Sequence, residues 1–214
     1  MTKIVNNKLS IIGSFNDVEQ VRMFLKSEPD EKNEAKIIDF NNIIPVPSEL
    51  DIEARPEGKL YYFLLFGDDD GVSLISREEA LSIAKKLSKE ESKKAFELAI
   101  QYHKNVLRFG HATHNSWIKR NWKITSNAFD QSIDFDFIIN FSTDYDGVPF
   151  LIEQLAKKFP GIEFQYFWTI NCHDFECYFS DGTLDRINSI YSDSGIEPKR
   201  YSDINEYYQK NNFD

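Results

Sequence analysis

The fold is decided by IDFDFIINFSTDYDGVPFLIEQLAKKFPGIEFQYFWTI, which spans residues 133–170. Its first nine residues alternate between the two faces expected of a strand, and one of those faces is largely polar. Residues 147–159 place apolar side chains three and four positions apart, which indicates an amphipathic helix that the following Pro-Gly pair ends. Residues 162–170 predict another strand. The stretch is therefore expected to form a strand, a helix and a second strand.

The sequence on both sides of this stretch predicts three further strands and another helix. The predicted strands are 8–13, 122–128 and 175–179. FDQS at 129–132 is the expected hairpin turn, and Asp181-Gly182 is a second turn. Residues 14–27 have helical spacing of their apolar positions, with Ser14 or Asn16 available as the N-cap.

The segment between these two parts of the chain is expected to be mostly helical. Pro45 and Pro47 favour an extended, irregular run there, and periodicity leaves 60–66 open as either a buried strand or a helix. From Ser76 to about residue 109 the spacing predicts two helices joined by a turn. The first begins with a Ser76–Glu79 capping box, and Gly110 ends the second.

Without residues 29–115, the elements follow the order strand, helix, strand, strand, helix, strand, with one strand added. This order predicts an α+β fold with a ferredoxin-like split βαβ antiparallel sheet and helices on one face. The expected core is 1–28 plus 116–188, with 29–115 as a large, mostly helical insertion. Residues 189–214 are expected to form a tail or a short helix, and the whole chain one compact unit.

Composition excludes several classes of protein. The chain has 214 residues, 41% of them hydrophobic and 14% aromatic, which excludes general disorder. No apolar run approaches the roughly 18 residues of a membrane span, and the first ten residues hold no signal-peptide core. We therefore expect a cytoplasmic protein without a membrane partner. Two cysteines, Cys172 and Cys177, do not imply a disulfide framework.

The net charge of −10 lies entirely in the C-terminal part of the chain. Residues 129–214 carry 6 Lys and Arg against 16 Asp and Glu, whereas the preceding residues balance. Because duplex-binding proteins usually present a basic surface, this charge disfavours nucleic acid as a partner of the C-terminal part. An acidic surface is able to attract a basic protein partner, although such surfaces most often serve solubility.

One stretch, 98–129, contains no Asp or Glu and combines basic with aromatic residues. Its candidate ligand-binding residues are Arg108, His111, His114, Trp117, Lys119, Arg120 and Trp122. Guanidinium groups pair with phosphates and aromatic rings stack on bases, so a flat anion such as a nucleotide would fit. The alternative is internal: the stretch packs within its own chain and the tryptophans belong to the core.

No metal, cofactor or catalytic motif is predicted. The histidines that could join a metal site are His103, His111, His114 and His173, with Cys172, but only His111 and His114 are close in sequence. Asp144, Asp146 and Glu176 could act as paired carboxylates; the first two precede a predicted helix, which favours a capping role. The acidic GDDDG at 67–71 lacks the ligand spacing of a calcium loop and predicts a solvated turn.

Several phrases together resemble the YubB-like proteins and their phage Api-like relatives. They are NNKLSIIG at 6–13, IDFNNIIPVPSEL at 38–50, YHKNVLRFGH at 102–111, the Asn-Trp pair at 121–122, and VPFLIEQLAKKFPGIEFQY at 148–166. The resemblance implies a ferredoxin-like domain and a phage or plasmid source, and it implies no settled activity. Two Trp-containing blocks typical of those proteins are replaced here by 123–126 and 142–145.

These observations predict a non-enzymatic protein-interaction module, an accessory protein of a mobile genetic element. The alternative is a binder of, or an enzyme acting on, a nucleotide-like or other anionic ligand at the basic and aromatic residues. A third possibility is nucleic-acid binding, which the acidic total disfavours.

Overall fold

The computed structural model describes residues 3–29, 31, 34–52, 54–67, 75–135, 137–170, 173–190 and 199–211. By its internal contacts the chain divides into two compact units. One, the sheet unit, comprises 1–45 and 118–214, and the other, the helical unit, comprises 46–117. No helix in the described parts of the chain combines the length and apolar character needed to cross a bilayer.

The sheet unit contains a seven-stranded sheet in which every neighbouring pair is antiparallel. Its strands are β1 (Ile4–Ile12), β2 (Phe129–Asp134), β3 (Ile138–Asp144), β4 (Glu163–Ile170), β5 (His173–Ser180), β6 (Thr183–Ile190) and β7 (Arg200–Tyr201). The order across the sheet is β2-β3-β1-β4-β5-β6-β7. With the helices of both units, this makes the fold α+β, as predicted.

The helices of the sheet unit are α1 (Phe15–Leu25), the one-turn α2 (Phe40–Ile43), α7 (Pro149–Lys158) and α8 (Ile204–Lys210). The predicted N-cap of α1 is confirmed: Ser14 accepts from the amide of Asp17, whose carboxylate accepts from Ser14 in return. Pro149 opens α7, where its missing N–H costs no hydrogen bond. The final helix α8 forms within the segment for which a tail or a short helix was predicted.

One face of the sheet is buried beneath helices and carries the core. Alternation along β1 buries Val5, Leu9 and Ile11, and the neighbours of Leu9 and Ile11 on β4 are the aromatic residues Tyr166 and Phe164. Four aromatic rings stack one after another on this face, with successive centroids 5.0 to 6.4 Å apart. They belong to Phe141 of β3, Tyr166 and Trp168 of β4, and Phe175 of β5. Tyr207 of α8 packs edge-on against two of these rings. We call this side of the sheet the helix face.

The strand predicted over 122–128 is wrong, as is the turn predicted at 129–132. Trp122, Ile124 and Ala128 are buried within an irregular segment, so apolar side chains there fill the core without pairing as a strand. The strand begins at Phe129, and the chain reverses around Phe135, which has a left-handed φ of 53°. Tertiary burial and strand pairing both produce apolar runs, and periodicity alone does not separate them over seven residues.

The helical unit contains a 3₁₀ turn at Ser48–Leu50, then α3 (Pro56–Phe66), α4 (Arg77–Ala84) and α5 (Lys89–Phe109); α6 (His114–Asn121) begins in it. Residues 60–66 are therefore helical. The Ser76–Glu79 capping box and the left-handed Gly110 that ends α5 are confirmed. Gly58 lets α3 approach α5, since an added Cβ would lie 2.9 Å from the ring of Tyr102.

Two predicted features fall outside the described residues. The first is Cys172, so a Cys172–Cys177 pairing is not described; Cys177 itself is a free, buried cysteine. The second is the acidic turn predicted at 67–71, of which only Gly67 is described.

Candidate functional site

The side of the sheet opposite the helix face carries mostly polar side chains. We call it the open face. Three rows of cross-strand neighbours define its centre, and each row follows from the pairing register. The first is Ser142, Asn6, Thr169, Asp174 and Ile190; the second is Ser132, Asn140, Lys8, Phe167, Glu176 and Asn188; the third is Asp134, Ile138, Ser10, Gln165, Tyr178 and Arg186.

A cleft of about 470 Å³ lies on the open face where the first two rows meet. Its lining includes Asn6, Lys8, Asn140, Phe167, Thr169 and Asp174, with Asp130 at the β2 side. Phe167 is half-buried, while Asn6, Lys8 and Thr169 on either side of it are exposed. The cleft is therefore an open depression to which Phe167 contributes a partly exposed aromatic ring.

The carboxylates of the open face are held in place by neighbouring donors. The Thr169 hydroxyl donates to Oδ1 of Asp174 over 2.7 Å. Glu176 accepts from the Tyr178 hydroxyl at 3.0 Å and from the Asn188 amide at 3.3 Å. The bonds from Thr169 and Asn188 cross between strands, and the bond from Tyr178 runs along β5. Together they fix the directions of the two carboxylates on this face.

A cation already sits on an aromatic ring of this face. The guanidinium carbon of Arg186 lies 3.8 Å from the centroid of the Tyr178 ring. The Tyr178 hydroxyl in turn donates to Glu176, so ring, cation and carboxylate form one group. Cation–π contacts of this kind are favourable within about 6 Å.

The charge of the cleft is negative. Among the described residues that line it, the ionisable groups are Asp130, Asp174 and Lys8, so carboxylates outnumber cations by two to one. Glu176 lies in the same row as Phe167, and Asp134 lies in the third row. The arrangement suits a ligand that brings positive charge and a flat or apolar portion for Phe167.

A second polar cluster lies on the helix face, centred on Asp146. This residue is fully buried, and Oδ1 accepts from the Tyr207 hydroxyl at 2.8 Å and from the Gly147 amide at 2.6 Å. Burial raises the pKa of Asp146 to about 7, although the Tyr207 and Gly147 hydrogen bonds oppose that rise. Because the carboxyl is shut off from solvent, we assign it a role in holding the core together and none in chemistry on a ligand.

The hydrogen bonds continue from this cluster across the sheet. The indole N–H of Trp168 donates to the Tyr207 hydroxyl over 2.9 Å. The Thr143 hydroxyl donates to the backbone oxygen of Asp146 and accepts from the Asn7 amide, at 2.7 and 2.8 Å. Tyr166 donates to Asn7 and accepts from the Val148 amide, whose bond measures 2.7 Å. Buried polar groups of β1, β3, β4, the start of α7 and α8 are thereby paired with one another.

The capping role expected for Asp144 and Asp146 is wrong. The residue before α7 is Val148, and no side chain in the described part of the protein caps that helix. Asp144 instead accepts from the amide and the hydroxyl of Thr125, which anchors the irregular segment before β2 to the end of β3. Since α7 begins with Pro149, its first turn needs fewer acceptors than other helices.

The predicted basic and aromatic residues occupy both units. In the helical unit, Arg108 is exposed and forms an ion pair of 2.5 Å with Glu49, while its guanidinium carbon lies 4.9 Å from the Phe109 ring centroid. His111 and His114 are half-buried, and Trp117 is buried with 9% of its surface exposed.

The remaining members belong to the sheet unit. Lys119 and Arg120 are exposed near the end of α6. Trp122 is 1% exposed, and its indole N–H donates to the backbone oxygen of Ile44 over 3.1 Å. Its ring packs edge-on against Phe40 with centroids 5.8 Å apart, so Trp122 contributes to the core.

The histidines considered for a metal site have other surroundings. His103 stacks on Phe66 with ring centroids 3.8 Å apart, and His173 is exposed at the start of β5. Across the described residues, no group of three or more His, Cys, Asp or Glu side chains is placed to hold a metal ion.

The residues that line the cleft were not singled out as a site from the sequence. Glu176, which pairs with Phe167 of the cleft, was singled out only as a candidate catalytic carboxylate. The signal lay in two short patterns: polar residues alternating with buried ones in NNKLSII of β1, and in EFQYFWTI of β4. Each pattern shows only that one face of a strand is polar. The pairing register is what brings Lys8, Phe167 and Glu176 side by side.

Comparisons with known proteins give one similar structure. No family model matches the chain, and no curated protein matches it. The crystal structure of a protein api92 from Yersinia pseudotuberculosis, family-model DUF1281, is similar over 90% of this chain and 99% of that chain. The TM-score is 0.43 and the sequence identity 9%. The comparisons show neither a YubB-like relative nor a phage source.

Proposed function

We propose that this chain is a non-enzymatic protein-interaction module whose open face binds a positively charged, extended segment of a partner protein. The observation that carries the proposal is the cleft around Phe167, where, among the described lining residues, the carboxylates of Asp130 and Asp174 outnumber the cation of Lys8. Charge complementarity of this kind speeds association and selects among partners.

The shape of the open face supports an extended partner. Cross-strand rows lie about 7 Å apart along each strand, which is the spacing of alternate side chains in any extended peptide. A segment lying in the cleft with basic residues at alternate positions would therefore meet carboxylates from successive rows, such as Asp174 and Glu176.

The hydrogen bonds of the open face support binding through a pre-organised surface. Asp174 and Glu176 each accept from a neighbouring hydroxyl. Both carboxylates are therefore held in position before a cationic side chain arrives, which lowers the cost of ordering them on binding.

We also propose that β2, β3, β1 and β4 with α1 and α7 form a ferredoxin-like core, extended by β5, β6 and β7. The support is the chain order β1-α1-β2-β3-α7-β4 together with the place of β1 between β3 and β4. A phage or plasmid source and a cytoplasmic location remain proposals that rest on the sequence.

The rival proposal is an anionic ligand bound at the basic and aromatic residues. What favours it is the exposure of Lys119 and Arg120, two adjacent cations on α6. The buried ring of Trp122 weakens it, because a stacking platform has to reach solvent. Direct nucleic-acid binding has the same support and faces the acidic charge of residues 129–214 as well.

Fluorescence anisotropy with two labelled ten-residue peptides tests the proposal. One peptide alternates lysine and serine, and the other alternates glutamate and serine. We expect the lysine peptide alone to bind, and its affinity to fall severalfold between 50 and 300 mM salt because screening weakens the attraction. Binding of the glutamate peptide, or of ATP or single-stranded DNA in its place, would support the rival.

A double variant, Asp130→Asn with Asp174→Asn, locates the binding surface. We expect it to weaken binding of the lysine peptide about tenfold, because it removes both carboxylates of the cleft. Asp185→Asn is the matched control: Asp185 is an exposed residue of β6 that accepts from the Ser180 hydroxyl and does not line the cleft. Equal losses in the double variant and the control would reject the open face as the site.

A further inference from the structure

The centre of the cleft offers a particular combination of groups. Phe167 has Lys8 as its cross-strand neighbour on β1 and Glu176 on β5. Thr169 and Asp174 form the adjacent pair in the next row, and the hydroxyl of Thr169 holds the Asp174 carboxylate. An aromatic ring and an oriented carboxylate are therefore diagonal neighbours within one depression.

We infer that this cleft is a guanidinium site, which takes an arginine side chain of the bound segment. The planar group stacks on the Phe167 ring, and its edge donates hydrogen bonds to Asp174. The inference rests on the proposed function and adds that the site prefers an arginine side chain to a lysine side chain. An ammonium group carries its charge at one point and cannot both stack flat on a ring and present two parallel donors to a carboxylate.

The same sheet already contains the stacking part of this arrangement. One row away, the Arg186 guanidinium lies over the Tyr178 ring at 3.8 Å, and Tyr178 is hydrogen-bonded to Glu176. The arginine is on β6, and the ring and the carboxylate are on the neighbouring strand β5. The distance between adjacent strands therefore allows a guanidinium to lie over an aromatic ring. In the cleft the ring and the carboxylate come from β4 and β5, and the arginine has to come from outside.

Lys8 is the group that opposes a cation in the cleft. It is exposed and lies beside Phe167, so its ammonium repels a guanidinium placed on that ring. Asp130 and Asp174 offset this repulsion, and solvent around the exposed lysine screens it. The geometry thus predicts that removing the charge of Lys8 tightens binding, which is unusual for a substitution within a binding site.

Three peptides of one design test the inference. They carry arginine, lysine or citrulline at the alternate positions, where citrulline keeps the shape of arginine and lacks its charge. We expect the wild-type protein to bind the arginine peptide about fivefold more tightly than the lysine peptide, and the citrulline peptide at least tenfold more weakly than the arginine peptide.

Two substitutions assign the preference to the cleft. Phe167→Leu keeps an apolar side chain and removes the ring. We expect this variant to bind the arginine peptide only as tightly as the lysine peptide. Its affinity for the lysine peptide should stay within twofold of the wild-type value. Lys8→Gln is expected to tighten both charged peptides about threefold. Phe15→Leu is the control, because Phe15 is a 77% exposed phenylalanine on α1. Unchanged thermal unfolding of each variant shows that its fold is intact.

The outcomes separate this inference from the function beneath it. If arginine and lysine peptides bind equally and Phe167→Leu changes neither, the guanidinium site is overturned while binding of basic segments stands. If no basic peptide binds the wild-type protein, both fail. Arginine preference that survives in Phe167→Leu also overturns the site, because the ring would then not be its cause.

Discussion

The Tyr207 phenol donates a hydrogen bond of 2.8 Å to Oδ1 of Asp146. This contact joins the C-terminal helix α8 to the loop that precedes α7, and both groups are buried. The raised pKa of Asp146, about 7, means that the folded protein holds a proton on this carboxyl at pH values where the unfolded chain has lost it.

The first prediction concerns the pH dependence of stability. A carboxyl whose pKa is raised by folding contributes its full stability below the unfolded value near 3.8 and loses it as the pH rises towards 7. The free energy of unfolding should therefore fall by up to about 1.4 kcal/mol per pH unit across that range, relative to a variant without the group. Above pH 7 the difference should be constant.

Asp146→Asn provides the comparison, since asparagine has the shape of the protonated acid and does not titrate. Urea unfolding of both proteins from pH 4 to pH 8 measures the effect. The free energy of unfolding of the variant should be comparable with that of the wild type near pH 4. As the pH rises, the variant should become more stable relative to the wild type. Parallel curves over the whole range would show that Asp146 is ionised, or equally solvated, in both states.

The second prediction removes the phenol itself. Tyr207→Phe deprives Asp146 of a donor and the Trp168 indole of its acceptor, which leaves two buried polar groups less well paired. We expect the free energy of unfolding to fall by about 2 kcal/mol. Tyr145→Phe is the matched control, because Tyr145 is 50% exposed, and it should change stability by less than about 0.5 kcal/mol. A similar loss in both variants would contradict the role given to Tyr207.

The third prediction tests the close approach of backbone and indole beside this cluster. A Cβ at Gly147 would lie 2.4 Å from Cγ and Cδ1 of Trp168, which is closer than real contacts allow. Gly147→Ala should therefore cost about 2 kcal/mol or more through displacement of the buried ring. Gly161→Ala has nothing within 4 Å of the new methyl and should be close to neutral. Thermal unfolding and tryptophan emission would report both, and a neutral Gly147→Ala would contradict the packing described.

Local signals predicted the ends of several helices. Ser14, the Ser76–Glu79 capping box and Gly110 lie at the helix ends that they were expected to mark, whereas the segment that forms α3 was left open between strand and helix. The α+β class also followed from the predicted mixture of helices and antiparallel strands.

The register of the sheet was not available from such signals. Trp122, Ile124 and Ala128 have an apolar pattern because they fill the core, and the pattern of a strand is the same over so short a run. The cleft depends on register still more strongly. Lys8 and Phe167 are far apart in sequence, and a shift of one residue in the pairing of β1 with β4 would move one of them to the helix face.

The last prediction concerns the hairpin tip that the sequence placed wrongly. Phe135 is 81% exposed and has a φ of 53°, a left-handed conformation that bulky residues adopt at a cost of about 1 kcal/mol. Asparagine tolerates this conformation, so Phe135→Asn should raise the free energy of unfolding by up to about 1 kcal/mol.

The neighbouring Phe137 provides the control, because it is 46% exposed and does not have a positive φ. Phe137→Asn should therefore lower stability through lost apolar burial. Urea unfolding of the two variants distinguishes the effects by sign, and a loss of stability in Phe135→Asn would mean that its ring contributes more through packing than its backbone costs.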